Sequence, residues 1–199
     1  MTALETDTSI TDHKSPPLIL NAQQVKALIP RIDVVSVLKK TFLSLAHGKS
    51  VQPAQTLTLL PENAGDFITY SGAISELEVF GAKLSPYIVS TGKPLITAWT
   101  YLMSLRTGQP LLCCDSAELT VERTAGVTAL AVDTLAKSDS DILCIVGSGQ
   151  VALAHLQHVL TVRKWQDIRV FSPNLAMDMD RQQSFKAIYP SISIVHTVE

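Results

Sequence analysis

The stretch Asp141-Ile142-Leu143-Cys144-Ile145-Val146-Gly147-Ser148-Gly149-Gln150-Val151-Ala152 reads as an apolar strand that runs into a G-x-G-x-x-A turn and opens an amphipathic helix. Such a turn needs its first glycine for a tight reversal and its second so that backbone amides can approach a pyrophosphate. Its third position must be small so that helix and strand can close on each other. Phosphates placed there lie at the positive end of the helix. A glycine turn between strand and helix also occurs with no ligand, so the motif counts only if the surrounding elements agree.

They do agree downstream. After the strand Ile142–Val146 come a helix over about 150–162, a strand over 168–172, a helix over about 175–188 and a strand over 192–195. Strand and helix alternating through short connections predict a right-handed parallel sheet, the first half of a doubly wound Rossmann domain that ends after its third strand. The second strand should finish where the adenine ribose of a dinucleotide would sit, and that residue is Ser172, followed by Pro173 and Asn174. Neither the acid that favours NAD nor the arginine that clamps NADP stands there, which leans slightly toward tolerance of NADP.

Upstream, the pattern changes. Asn21 and Gln24 form a capping-box pair for a short helix to Leu28, stopped by Pro30, and a second helix is predicted over 33–46 with Val34, Leu38, Phe42 and Leu45 at helical spacing and Gly48 as its stop. From there the text alternates. Strands are predicted over 55–60, 67–71, 79–88, 96–104 and 110–115, separated by turns such as Pro61-Glu62-Asn63-Ala64-Gly65 and Arg106-Thr107-Gly108, which gives a mostly antiparallel sheet. Ser116 is placed to cap a helix to about Lys137, with Leu119, Ala125, Leu130 and Leu135 repeating. The fold class is therefore α/β with an α+β N-terminal part, divided into a disordered lead over 1–17, an antiparallel-sheet domain over 18–115 and a half Rossmann domain over 116–199.

Composition removes several function classes. The 199 residues hold 16 basic and 18 acidic side chains, a net charge of −2, which lacks the basic excess that nucleic-acid binding needs. No window approaches the roughly 20 apolar residues of a membrane helix. Met1 to Ser15 carry Glu5, Asp7 and Asp12, the opposite of a cationic leader, so a cytoplasmic location is expected. Three cysteines, Cys113, Cys114 and Cys144, give neither a disulfide framework nor a CxxC pair and read as reduced core thiols.

Candidate site residues fall outside these regularities. Lys83 is a lone cation in an apolar strand; it either points to water or, with Gly81 and Ala82 beside it, faces a ligand. Arg123 lies in a mainly apolar segment with Thr120, Val121 and Thr124; it is either a solvated helix residue or a bidentate grip on a substrate carboxylate. His155 and His158, at i and i+3, lack a third metal ligand at useful spacing and read as surface histidines, so no metal is expected. Cys113 and Cys114 have no evident base partner for a nucleophile.

Taken together, Leu20-Asn21, Ala46-His47-Gly48, Gln52-Pro53, Gly81-Ala82-Lys83-Leu84, Thr107-Gly108-Gln109-Pro110, Thr120-Val121-Glu122-Arg123-Thr124-Ala125 and Gly147-Ser148-Gly149-Gln150 resemble the ornithine cyclodeaminase and mu-crystallin family, from Leu18 to the end. The resemblance implies a substrate domain that also builds a homodimer, followed by an NAD(P)-binding domain. It implies that Lys83 and Arg123 hold a substrate carboxylate, that Thr124 and the loop Gly147, Ser148, Gly149, Gln150, Val151 and Ala152 hold the pyrophosphate, and that Ser172 meets the ribose. It further implies amino or imino acid chemistry by hydride transfer at the carbon bearing nitrogen. The first expectation is an ornithine cyclodeaminase (ornithine to proline plus ammonia). The alternatives are a ketimine or 1-pyrroline-2-carboxylate reductase and a non-catalytic nucleotide-binding protein. Two positions depart from the family: Gln55 stands where it usually has an arginine of the carboxylate clamp, and Leu95-Ile96 where it often has Thr-His. The family's acid–base aspartate is expected beyond residue 199, so the 199-residue chain alone is expected to be inactive, with an uncovered apolar face that makes it aggregation-prone.

Overall fold

The computed structural model describes residues 16–195 and 197. The lead expected over 1–17 lies outside them except for Pro16 and Pro17, which are irregular. The described chain forms β1 (Leu18–Leu20), α1 (Ala22–Leu28), α2 (Val34–Ala46), β2 (Ser50–Val51), β3 (Thr56–Leu59), β4 (Gly65–Ile74), β5 (Val79–Ile88), β6 (Leu95–Ile96), β7 (Trp99–Ser104), β8 (Pro110–Asp115) and α3 (Ala117–Leu135). The alternating part follows as β9 (Ile142–Val146), α4 (Gln150–Val162), β10 (Asp167–Phe171), α5 (Met179–Ile188) and β11 (Ser193–Val195).

Local chemistry sets the helix ends. Asn21 and Gln24 bond reciprocally to each other's backbone amides at 2.9 and 3.0 Å, the capping box that the sequence predicts. Helix α2 stops at Gly48, whose φ of +69° lets the amides of Gly48 and Lys49 turn back onto the carbonyls of Leu45 and Ser44. Ser116 differs from expectation. Its hydroxyl donates to Thr100 Oγ1 at 2.6 Å instead of capping α3, and Asp115 Oδ1 accepts from the amide of Ala117 at 3.0 Å. The helix expected from Leu175 begins as a 3-10 turn over Leu175–Met177, because Asp178 accepts from the amide of Arg181 and starts α5 there. The apolar repeat of α3 ends before Leu135, which is 80% exposed.

The first sheet has eight strands along the path β1-β8-β7-β5-β4-β2, with β3 on β4 and β6 on β5. It is antiparallel except that β1 runs parallel to β8. The sequence reading missed β1 and β2, whose three and two residues are too short to show a period. The strand expected over 96–104 is broken into β6 and β7, which pair with different parts of β5. Helices α2 and α3 pack on each other, and α3 also packs on α4.

The second sheet is parallel, in the order β11-β10-β9, as a first Rossmann half requires. Its core is Ile145, Leu156, Ile168, Val170, Leu175, Phe185 and Ile192 around Ala152. Ile142, Cys144 and Val146 lie on the opposite face of β9 and are exposed, so Cys144 is not the core thiol expected; Cys114 is buried and Cys113 half-buried. Among the described residues β9 has a partner on one side only.

Gly81, like Gly65, sits at one of the tightest points of the first sheet. A Cβ there would lie 2.1 Å from the backbone oxygen of Tyr101, so its missing side chain is filled by the neighbouring strand and does not open the backbone to a ligand as the sequence suggested. A rigid backbone atom cannot yield, so Gly81→Ala is expected to destabilise the protein by roughly 1–3 kcal/mol, read as a lower urea midpoint with unchanged slope.

Candidate functional site

Strand register brings the site together. Lys83 in β5 stands directly opposite Tyr70 in β4 and Thr100 in β7, so the three share one face of the sheet. The ammonium of Lys83 lies 4.4 Å from the centre of the Tyr70 ring and donates to Thr120 Oγ1 at 3.3 Å. Thr120 in turn donates to the Ser116 carbonyl at 2.8 Å. The strand therefore meets α3 through a lysine, and this half-buried lysine does not point to open water.

Arg123, one turn after Thr120, lines the same cavity of about 670 Å³, as does Gln55 at the entry to β3. The remaining walls include Leu38, Phe42, Leu102, Leu119 and Val127, and among the described residues no aspartate or glutamate lines them. Among the described residues neither Lys83 nor Arg123 has an ion-pair partner. Burial pushes the Lys83 ammonium below its ordinary range, and the positive charge of Arg123 pushes it the same way. Lys83 is half-buried and Arg123 exposed at the cavity's edge, and a carboxylate between them could take hydrogen bonds from both.

The glycine turn supplies the second half of the candidate site. Gly147 has a φ of +123°, a conformation that L side chains rarely adopt, and its amide donates to the Phe171 carbonyl at 2.7 Å. Gly149 is the N-cap of α4 with ordinary dihedrals and no side-chain cap, and a Cβ on either glycine would meet nothing within 4 Å. The space beside both glycines is thus open, while Ala152 is buried against the sheet as the third small position demands. Ser148 donates to the Ser172 hydroxyl at 3.1 Å, joining the loop to the end of β10. This arrangement fits a pyrophosphate and the ribose beyond it.

Thr124 is not seen to join that loop; its hydroxyl donates to the Thr120 carbonyl at 2.6 Å, within its own helix. His155 and His158 are not surface histidines. Both lie on the face of α4 that packs on α3, where His155 shares a 2.9 Å hydrogen bond with Thr128 and His158 a 2.6 Å contact with Glu122. Burial, and then the charge of His158, holds His155 below its usual pKa. Among the described residues no group of three or more metal-ligating side chains is assembled, and no helix is long and apolar enough to cross a membrane. The sequence reading overlooked Tyr70 and Thr100, because their place beside Lys83 depends on register.

The electrostatics of the cavity give a direct check. In the 13C-methylated protein, the Lys83 resonance is expected to titrate below those of the exposed lysines, and Arg123→Gln to move its midpoint up. A Lys83 midpoint equal to the rest would remove the mutual influence of the two cations.

Comparison with known proteins fixes the lineage. The model of the ornithine cyclodeaminase/mu-crystallin family matches residues 16–181. The NAD(P)H-dependent anabolic L-arginine dehydrogenase of Pseudomonas aeruginosa is 49% identical over 183 residues, 92% of this chain and 58% of that protein. The structure of Thermococcus litoralis Δ1-pyrroline-2-carboxylate reductase in complex with NADH and L-proline superposes with a TM-score of 0.79 at 25% identity, over 91% of this chain and 57% of that one. An archaeal alanine dehydrogenase dimer with bound NAD shares the fold, with a TM-score of 0.76 at 22% identity over 90% and 55% of the two chains. The chain thus spans less than three fifths of the length of these relatives. With the family's pattern matched across both sheets, the chain belongs to the ornithine cyclodeaminase/mu-crystallin family.

Proposed function

We propose that this chain carries the substrate site and the first nucleotide-binding half of an NAD(P)H-dependent reductase of imino acids, the class that includes cyclic ketimines such as 1-pyrroline-2-carboxylate. The observation that carries the reading is the pair Lys83 and Arg123, without a carboxylate partner among the described residues in an apolar-walled cavity, on a fold whose helix α4 opens at a glycine turn with room beside both glycines. The names of the relatives support reduction over cyclodeamination of ornithine, since the 49% identical relative is a dehydrogenase and the 25% identical structure a reductase. Residues 18–115 serve as the substrate-binding and dimerisation part and 116–199 as the nucleotide-binding part.

Lys83 and Arg123 grip the substrate carboxylate, and the adjacent carbon, double-bonded to nitrogen, is thereby held in one place. Gln55 adds a neutral donor, about half as strong as the charged bond an arginine would make. Gly147, Ser148, Gly149, Gln150, Val151 and Ala152 present the amide cradle for the pyrophosphate and Ser172 meets the ribose, while Thr124 would join them only by releasing its bond to the Thr120 carbonyl. When bound, NAD(P)H would supply the hydride that converts the carbon of the protonated imine to that of a neutral amine, leaving NAD(P)+. Leu102 and Val127, both half-buried, line the walls of the cavity.

The sheet face opposite Lys83 exposes Phe80, Leu84 and Tyr101, and it is the surface through which a homodimer forms. In light scattering of the complete gene product, Tyr101→Glu should shift a dimer to monomer; an unchanged mass would move the interface elsewhere.

For activity, the complete gene product should oxidise NADPH or NADH when given 1-pyrroline-2-carboxylate. Arg123→Ala is expected to lower kcat/KM about 10- to 100-fold with nucleotide affinity intact. Gly149→Ala should do the reverse, keeping the melting temperature while weakening the dinucleotide. Ammonia release from ornithine as the faster reaction, or normal imine reduction by Arg123→Ala, would sink this reading.

A further inference from the structure

Helix α3 presents three different faces. Leu119, Thr120, Arg123 and Val127 line the cavity, Gly126 receives Val34 and Leu38 of α2, and Glu122 and Thr128 reach His158 and His155 of α4. A Cβ on Gly126 would come within 2.6 Å of Val34, so α2 rides close over a position with no side chain. Toward the interior, α3 offers Ala125 and Ala129, both fully buried, and α4 offers the buried Ala154 one turn from His158. Burial of methyl groups in such contacts is favourable but non-directional. The directional contacts are the polar ones. His158 Nε2 and Glu122 Oε2 are 2.6 Å apart, with side chains only 15% and 16% exposed.

Arg123 follows Glu122 directly. A guanidinium extends about 8 Å from a helix axis, so a turn of about 10° about that axis moves it by more than 1 Å, and displacements of about 1 Å can cost a bound substrate its reactive geometry. From these contacts we infer that Glu122 and His158 form a positioning pair, which sets the rotation of α3 and thereby aims Arg123 at the substrate carboxylate. The inference rests on the reading of the Lys83 and Arg123 cavity as a carboxylate site. Neither residue touches the cavity.

The test is made on the complete gene product with pyrrole-2-carboxylate, an unreactive planar analogue of the cyclic imino acid, titrated calorimetrically beside NADPH. The double variant Glu122→Leu/His158→Leu replaces the pair by apolar groups of similar size, which commonly preserves stability. It is expected to keep its melting temperature and its NADPH affinity within twofold, yet to bind the analogue about tenfold more weakly. Glu122→Asp, which shortens the reach by one methylene, should lose affinity in the same direction, whereas Glu122→Gln, which keeps a hydrogen bond to His158, should stay close to wild type. Analogue binding at wild-type strength by either the double variant or Glu122→Asp overturns the positioning role and leaves the cavity reading in place. Failure of the wild-type protein to bind the analogue overturns the cavity reading, and the positioning role falls with it.

Discussion

One set of side chains on α3 has to satisfy two sheets at once. The helix closes the cavity over β4, β5 and β7 through Thr120 and Arg123, and on its other side it carries α4, whose first turn is the glycine loop. Every constraint on the site passes through that element. Lys83 is held by a strand and Arg123 by the helix, so the distance between the two cations is set by how α3 lies on the sheet. The Lys83 to Thr120 hydrogen bond and the Ser116 to Thr100 bond fasten α3 near its start, before the chain enters the parallel sheet.

The energetics follow from what is left uncompensated. Burying a charge without a partner is costly, and proteins ordinarily avoid it. Here the half-buried Lys83 shares a cavity with the exposed Arg123, and what Lys83 meets among the described residues is the Thr120 hydroxyl and the face of the Tyr70 ring, the latter worth on the order of 1 kcal/mol. The site is therefore held in a condition that an anion improves, by the same rigid sheet that Gly81 allows to pack tightly. Strain of this kind is the usual accompaniment of binding function.

How much of this was legible without coordinates depends on the range of the signal. The glycine turn, the strand β9 and the helix α4 were read to the residue, because turn chemistry and apolar period are local. The capping box at Asn21 and the stop at Gly48 were equally local. The parallel strand β1 and the two-residue β2 carry no period at all, and they exist because Cys113 and Ile74 and their neighbours offer edges to pair with. At the site, Lys83, Arg123 and Gln55 were picked out individually, by charge in apolar surroundings and by resemblance. Tyr70, Thr100 and the Glu122 to His158 pair were not, since each depends on register or on the angle between two helices, which no single stretch of sequence encodes. The opposite error occurred at Gly81 and Cys144: small and apolar residues were read from local sequence, while their surroundings are decided by a strand far away in the chain or by the side of the sheet they face.

The two-cation cavity also makes the protein sensitive to its electrolyte. In the proposed carboxylate site, Lys83 and Arg123 do not distinguish a substrate carboxylate from sulfate, phosphate or chloride by charge alone; shape and the amide of Gln55 have to do that. Small inorganic anions will therefore occupy the same ground, stabilising the fold by mass action while raising the concentration of substrate needed to displace them. Ionic strength acts through screening as well, over a Debye length of about 8 Å at physiological salt. Buffer choice thus becomes part of the proposed chemistry, in which a storage salt that protects this protein from heat competes with the substrate for the same reason.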